Sequence, residues 1–316
     1  MTAKDKKENT ESATVIKLEI ADIIIEARCN IPGVELQMSP SRQDFIVEDG
    51  QPDCVLNVHY GPLPDINLEQ QLFDSGDGPW SLHTSGEKLV FRMHGSNRGE
   101  SYVHRIAVFE PEFDRADLYV RSRSELPNAA ASPQEEVLYF DPFSPPLDEW
   151  LIVNLLARGR GIHAHSLGIL HDGQALVFCG VSGAGKSTLA ELWKKRQVAI
   201  LSDDRIAIRK REGKVWAYGT PWHGDARVSL AEKAPLNVIY FIVQGPENRV
   251  LPMSATDIAT RLIVRCFPTF YLPAGMDYTL KFITELAEEV PCFELQFTPD
   301  EGAIDTVLQH VERQTK

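Results

Sequence analysis

The stretch from Leu176 to Leu192 reads LVFCGVSGAGKSTLAEL, and it decides how the second half of the chain is interpreted. Its first residues are apolar and typical of a buried strand, whereas the residues from Lys186 onward favour a helix. Three glycines lie between these two segments, at positions 180, 183 and 185. A strand, a glycine-rich turn and a helix in this order indicate an α/β domain with a functional loop between strand and helix.

The turn matches the pattern G-x-x-x-x-G-K-[ST], the Walker A motif of phosphate-binding loops (P-loops). Its glycines let successive backbone N–H groups point at phosphate oxygens, and the following helix adds its positive N-terminal end. Lys186 is expected to contact the β- and γ-phosphates and Ser187 to hold Mg²⁺, so the predicted ligands are ATP and Mg²⁺. The lysine and the glycine spacing exclude a Rossmann dinucleotide loop. The predicted nucleotide-binding residues are Gly180, Ser182, Gly183, Ala184, Gly185, Lys186, Ser187 and Thr188.

A second stretch, AILSDDRIAI, begins at Ala199 and places two aspartates after a short apolar strand. The first of them, Asp203, stands 17 residues after Lys186. Two adjacent carboxylates beside the glycine loop can divide two tasks, since one can ligate Mg²⁺ and the other can take a proton from an acceptor hydroxyl. The alternative interpretation is a solvated turn that precedes a hairpin.

Together, GVSGAGKST and AILSDDRIAIR resemble the catalytic domain of the HPr kinase/phosphorylase family, which belongs with the phosphoenolpyruvate-carboxykinase-like P-loop proteins. The resemblance covers about residues 160–265 and includes Arg205 and His165, which precedes Gly180 by 15 residues as the family's histidine does. It implies that Asp203 is the base for an attacking serine hydroxyl, and that Asp204 and Ser187 surround the metal. It also implies a homo-oligomer. The predicted catalytic residues are Asp203, Lys186 and His165.

The chain departs from the family pattern in three places. Thr188 stands where the family has glutamate, YGTPWHGDARVSL replaces the family's glycine-rich signature, and the first 146 residues do not resemble its usual N-terminal domain. We therefore expect a divergent, kinase-related member that transfers phosphate from ATP, rather than a phosphorylase.

The replacing loop GTPWHGDAR, residues 219–227, has two interpretations. It either contacts the acceptor or the γ-phosphate through His223, Asp225 and Arg227, or it is a packed connection with Trp222 in the core. The arginine that neutralises transition-state charge is also open, with Arg205, Arg227 and Arg261 as candidates.

The sequence predicts two domains of different composition. Residues 1–14 are polar and predicted to be a disordered tail. Residues 15–146 read as strands and turns, including a hairpin in WSLHTSGEKLVFRMHG, and end in a proline-rich linker. Apolar residues from Leu147 to Leu155 recur at helical spacing, with Gly159 as a stop signal. The predicted fold is an α/β P-loop kinase domain of HPr-kinase-like type over 147–316, preceded by a smaller β-rich domain.

Charge and cysteine content restrict the class of protein. The 316 residues carry a net charge of −13, with 45 acidic and 32 basic side chains, which disfavours binding to nucleic acid or to anionic membranes. The longest apolar run, VIYFIV at 238–243, is far too short to span a membrane. The five cysteines lack the spacing of zinc ligands, and the first 14 residues lack the apolar region of a secretion signal. We expect a cytoplasmic protein with reduced thiols.

The leading hypothesis is an ATP-dependent kinase, a transferase that phosphorylates a hydroxyl group on a serine of a protein or peptide. A second hypothesis is a nucleotide-dependent switch or binding module with weak ATPase activity, in which the β-rich half is the working surface. A third is small-molecule phosphorylation or carboxykinase-like chemistry on the same loop. The adjacent Asp203 and Asp204 favour the first.

Overall fold

A computed structural model describes residues 13–76, 78–97, 100–122, 125 and 138–314. Its contacts divide these residues into two compact units. The second unit comprises everything from Asp148 onward together with the short segments Glu19–Ile23 and Ser41–Phe45, and the first unit comprises the remainder. The predicted tail lies outside the described residues except for its last two positions, and Pro127 and Pro133 of the predicted linker also lie outside them.

The first unit is built on a mainly antiparallel sheet. Within the described residues nine strands form this sheet in the order β4-β1-β2-β5-β10-β9-β8-β7-β6, and β3 pairs separately with β11. The predicted hairpin is confirmed, because β7 and β8 pair antiparallel across a turn at Gly86, whose φ is +60°. The strands are β1 Thr14–Ile20, β2 Ile23–Cys29, β3 Val34–Leu36, β4 Ile46–Val47, β5 Cys54–Gly61, β6 Gln71–Asp74, β7 Trp80–Ser85, β8 Lys88–Asn97, β9 Glu100–Phe109, β10 Arg115–Arg121 and β11 Leu138–Phe140.

The second unit alternates strands and helices. Among the described residues eight strands form a mixed sheet in the order β13-β12-β15-β16-β17-β19-β18, with β14 paired to β12 and β13 also paired to β17. Its elements are α1 Leu147–Ala157, β12 Gly161–His171, β13 Gln174–Cys179, α2 Lys186–Lys195, β14 Ala199–Ser202, β15 Arg205–Arg211, β16 Lys214–Gly219, β17 Lys233–Gln244, β18 Arg249–Pro252, α3 Ala255–Ile263, α4 Pro273–Glu289, β19 Cys292–Phe297 and α5 Gly302–Gln314.

Strand β13 is buried on both faces. Val177 belongs to one apolar cluster with Leu262 of α3, and Phe178 belongs to another with Trp193 of α2. Because successive side chains point to opposite faces, a strand covered on both sides reads as a continuous apolar run, as QALVFC does. The fold is therefore mixed α/β with large sheets.

The helix predictions agree with the structure in type and differ at some ends. Helix α1 ends at Ala157, two residues before Gly159, and Ser254 caps α3 by accepting the N–H of Asp257 at 3.1 Å. Helix α4 begins at Pro273, because proline lacks an N–H and fits the first helical turn. No helix in the described part of the chain combines the length and the hydropathy needed to cross a membrane.

Candidate functional site

The glycine loop joins the buried end of β13 to the first turn of α2. Gly183 and Gly185 have φ angles of +78° and +105°, in the region that L side chains rarely adopt. A Cβ at Gly185 would also lie 2.6 Å from Cζ of Phe297 on β19. Only glycine fits this position, so the loop conformation depends on the sequence pattern that predicted it.

The outer surface of the loop is open and polar. Ser182, Ser187 and Thr188 are exposed, while Ala184 is buried against the sheet. No side chain in the described part of the chain caps the N-terminus of α2, so no described side chain accepts from its first N–H groups. An uncapped helix start of this kind offers backbone donors and a positive dipole end to an anion.

Lys186 lies beneath this surface and is only 7% exposed. Its Nζ donates a hydrogen bond to the carbonyl oxygen of Gly180, 2.9 Å away at the start of the loop. Burial lowers the pKa of the Lys186 ammonium, and the nearby carboxylate of Asp204 opposes that shift. Lys186 therefore links the end of the loop to its start at Gly180, and its charge interacts with that of Asp204.

Asp203, the first aspartate of the pair, is 2% exposed and faces the following loop. Its two carboxylate oxygens accept the backbone N–H groups of Gly224 at 2.9 Å and Ala226 at 2.8 Å, and the N–H of Val228 lies at 3.4 Å. Asp203 thus fixes the path of residues 224–228. A proton-accepting role would require an acceptor hydroxyl to reach this almost fully buried carboxylate.

Asp204, by contrast, is partly exposed and forms an ion-paired cluster. Its Oδ1 lies 2.8 Å from Nε2 of His165 on β12, and its Oδ2 accepts from the guanidinium of Arg205. Burial raises the pKa of Asp204, but the His165 hydrogen bond and the charge of Arg205 outweigh it and hold that pKa below its usual value. Asp204 therefore pairs with His165 and Arg205, and its charge also acts on Lys186.

The guanidinium of Arg205 already contacts several groups of this cluster. Its Nε donates to Glu149 of α1 at 2.9 Å, and its guanidinium lies 4.6 Å from the ring centroid of Phe267. Arg261 pairs with Glu294 at 2.7 Å, and Arg227 is exposed on the 219–227 loop. The sequence alone does not show which of the three candidate arginines lies near Lys186.

Arg265 is a cation that the sequence analysis missed. It follows α3, and its backbone carbonyl accepts the N–H of His165 at 2.7 Å. Burial lowers the pKa of its guanidinium, and its charge in turn lowers the pKa of Lys186, so the two cations interact. Its Nε is buried without a hydrogen-bond partner among the described residues. Only the fold places Arg265 near the loop, since nothing in RLIVRCF distinguishes it from Arg261.

The 219–227 loop is packed at its start, whereas contact of its later residues with an acceptor or a phosphate stays a prediction. Trp222 is half-buried and donates from Nε1 to Asp148 at 2.9 Å, while Thr220 is buried and donates to the Arg205 carbonyl at 2.7 Å. His223, Asp225 and Arg227 are exposed. The loop is anchored at its start by packing and displays its later polar side chains.

Asp148 is the buried anchor for Trp222. It is fully buried and also accepts two hydrogen bonds from Arg42, at 2.8 Å from Nε and 2.6 Å from Nη2. Burial raises the pKa of Asp148 to about 6, against the opposing charge of Arg42. Neighbouring His163 is also buried, and neither of its ring nitrogens has a hydrogen-bond partner among the described residues.

The side chains in the described part of the chain show what kind of Mg²⁺ site is possible. No cluster of three or more His, Cys, Asp or Glu side chains in the described part of the chain could hold a metal ion. Magnesium usually takes one or two protein ligands and completes its shell with substrate phosphates and water. Ser187 and Asp204 fit that limited role, although Asp204 would have to loosen its pair with Arg205.

Comparisons with known proteins give little further identification. No family model and no curated protein matches this chain. Among solved structures, the Hpr(Ser) kinase/phosphatase from Coxiella burnetii is similar, with 10% identity and a TM-score of 0.29 over 49% of this chain and 99% of that one. A similarity this weak carries no argument about function, so the site is interpreted from its own geometry.

Proposed function

We propose that residues 147–316 form an ATP-dependent kinase that transfers the γ-phosphate of ATP to a hydroxyl group, a serine side chain of a protein or peptide. The observation that carries the proposal is that Lys186, buried beneath the glycine loop with its uncapped helix start, interacts electrostatically with Asp204 of the Asp204–His165 pair. Phosphoryl transfer needs a phosphate cradle, a cation and a nearby carboxylate, and these three groups supply them.

The loop is proposed to hold the triphosphate through its backbone N–H groups. The exposed residues Ser182, Ser187 and Thr188 line the same surface, and Lys186 adds the positive charge. When phosphate replaces the Gly180 carbonyl as the partner of Lys186, the ammonium gains an anionic acceptor. Mg²⁺ bound there would neutralise phosphate charge, with Ser187 and Asp204 as its protein ligands.

Two carboxylates compete for the proton-accepting role. In the reaction the hydroxyl oxygen bonds to the γ-phosphorus, the bond to the β-bridging oxygen breaks, and the hydroxyl proton passes to a base. Asp203 is the base that the sequence resemblance implies, but it is buried and bonded to the 224–228 backbone. Asp204, partly exposed and paired with His165, is the alternative.

The same bonding of Asp203 supports a second candidate, a nucleotide-dependent switch with weak ATPase activity. If Asp203 serves only to hold the loop, nucleotide binding near Asp204 could reposition residues 224–228 without fast transfer. Release of labelled inorganic phosphate without a labelled acceptor would favour this candidate over the kinase.

The test is transfer of label from γ-labelled ATP to native lysate by the full chain, followed by identification of the labelled species. Lys186→Met should abolish labelling, because the phosphates lose the cation buried beneath the loop. Lys195→Met is the matched control, since Lys195 is an exposed lysine on the same helix. Equal labelling by wild type and Lys186→Met would overturn the proposal.

A further inference from the structure

The first unit contains a cavity of about 660 Å³ over one face of its sheet. Arg92 of β8, Ile106 and Val103 of β9 and Arg121 of β10 line it, and these three strands are neighbours in the sheet. Its volume falls within the range typical of sites for small molecules, roughly 300–1,000 Å³. All of its lining residues belong to the first unit, and none belongs to the glycine loop.

Two arginines supply positive charge and hydrogen-bond donors to this cavity. The Arg92 side chain is half-buried and makes no hydrogen bond or ion pair with any residue that the structure describes, although its backbone pairs with β7 and β9. Arg121 donates from Nε to the Val103 carbonyl at 2.9 Å, which fixes the base of its guanidinium and leaves the terminal nitrogens without a described partner. A half-buried guanidinium with no hydrogen-bond or ion-pair partner among the described side chains is unusual in a chain whose net charge is −13.

The remaining titratable groups offset only part of the charge of the two arginines. Burial and the charge of Arg92 lower the pKa of His94, which lines the cavity. Outside the lining, burial together with Arg105, His94 and Arg121 lowers the pKa of His104 to about 4. Both imidazoles are therefore neutral at physiological pH. The one carboxylate among the lining residues, Asp65, is exposed and offsets a single positive charge.

The rest of the lining suits an apolar or aromatic group. Ile106 is 7% exposed, and the Tyr102 ring lies across Gly95 of the neighbouring strand, where a Cβ would come within 2.9 Å of its Cζ. Ligand sites commonly combine such apolar walls with a few polar groups that fix orientation. Two guanidinium groups provide donors that match a carboxylate or a phosphate.

We propose that this cavity binds a small organic anion, with its carboxylate or phosphate held by Arg92 and Arg121 and its apolar part against Tyr102 and Ile106. The proposal is independent of the kinase assignment, because it uses none of the residues around the glycine loop. It gives the β-rich unit a binding activity of its own.

Benzoate and phenyl phosphate test this proposal on the full chain, with neutral benzamide as the uncharged probe. Binding is measured by ligand-observed NMR and by calorimetry. At least one anion should bind with a Kd of about 1 mM or tighter, and benzamide should bind at least about 10-fold more weakly. The ratio of the Kd values for benzoate and phenyl phosphate distinguishes a carboxylate site from a phosphate site.

Variants then assign the binding to this cavity. Arg92→Gln and Arg121→Gln should each weaken anion binding by about 10-fold or more, because each removes a charged hydrogen-bond donor. Arg115→Gln, an exposed arginine on the same strand as Arg121, should leave it unchanged. Lys186→Met should leave benzoate binding unchanged, and any phenyl phosphate binding that this variant removes is assigned to the glycine loop and not to the cavity.

The fold of each variant is checked by thermal unfolding without ligand. Arg92→Gln should unfold at the wild-type temperature or above, since it removes a cation that has no described partner. If Arg92→Gln does not fold, Arg92→Lys replaces it, and a weaker affinity for both anions is expected because lysine lacks the planar fork. The proposal is overturned if neither anion binds, if benzamide binds equally well, or if only Lys186→Met abolishes binding.

Discussion

The carboxylate of Asp203 accepts the backbone N–H of Ala226 at 2.8 Å, which joins the end of β14 to a loop 23 residues further along the chain. A second bond, from the N–H of Gly224 at 2.9 Å, occupies the other carboxylate oxygen. The sequence resemblance predicts that Asp203 accepts a proton, and the structure shows that Asp203 also holds residues 224–228 in place. The two roles make different predictions for the same substitution.

Asp203→Asn should lower the free energy of unfolding by about 1.5–3 kcal/mol, because the amide replaces one charged acceptor oxygen with a donor. If Asp203 is also the general base, phosphoryl transfer should fall about 10²–10⁴-fold while ATP–Mg²⁺ affinity changes little. Urea unfolding, calorimetry and labelled-phosphate transfer measure the three quantities. Wild-type transfer by a destabilised Asp203→Asn would leave Asp203 with the positional role alone.

Asp204→Asn should behave differently from Asp203→Asn. Asp204 is predicted to ligate the metal, so its amide variant should raise the Mg²⁺ concentration needed for half-maximal transfer, and Ser187→Ala should do the same. Transfer measured over a range of Mg²⁺ concentrations checks this. A loss of transfer in Asp204→Asn that saturating Mg²⁺ does not restore would instead identify Asp204, with His165, as the proton acceptor.

Gly185 and Gly183 provide a matched pair for the loop. Both have positive φ angles, but only at Gly185 does an added Cβ meet a neighbour, Cζ of Phe297 at 2.6 Å. Gly183→Ala should cost about 1–2 kcal/mol of stability, and Gly185→Ala about 1–3 kcal/mol more. Urea unfolding of both variants measures the difference. In the Gly185→Ala background, Phe297→Leu should recover part of the additional loss, and equal losses in the two alanine variants would contradict the packing argument.

His163 should make stability depend on pH. Burial and the charge of Arg205 lower its pKa to about 3, below the ordinary 6.5, so the unfolded chain binds a proton that the folded chain does not. Stability from this group is present above pH 6.5 and is lost as the pH falls toward 3. His163→Phe, which keeps the ring contacts with Trp222 and Phe267, removes this dependence.

The measurement is urea unfolding of wild type and His163→Phe at about pH 7.5 and pH 5.5. The wild type should lose about 1.4 kcal/mol more than the variant between these two values. His223→Gln is the control, since His223 is exposed and should keep the wild-type dependence. Parallel pH curves for wild type and His163→Phe would show that protonation of His163 does not oppose folding.

Local patterns explain which parts of this molecule were predictable. The strand, glycine turn and helix around Lys186 depend on residues that are adjacent in sequence, and so do the hairpin at Gly86 and the cap at Ser254. The partners of Asp203 could not be predicted, because they are backbone groups brought back by a loop after two further strands. Arg265 and the Arg92–Arg121 cavity depend on strand order, which a single sequence does not reveal.

The Arg42–Asp148 pair has a consequence for dissecting the chain into fragments. The composition of the sequence suggests cutting near Pro145, and such a fragment keeps the glycine loop and both aspartates. It would also lose Arg42, and breaking a buried ion pair by removing one partner typically costs about 3–5 kcal/mol. The excised fragment is therefore expected to be poorly folded unless it also carries Asp148→Asn, which removes the stranded charge. If the fragment fails to fold, the cause would be the loss of the counter-ion that the N-terminal sequence supplies to Asp148. Its failure would not show that catalysis needs the β-rich unit.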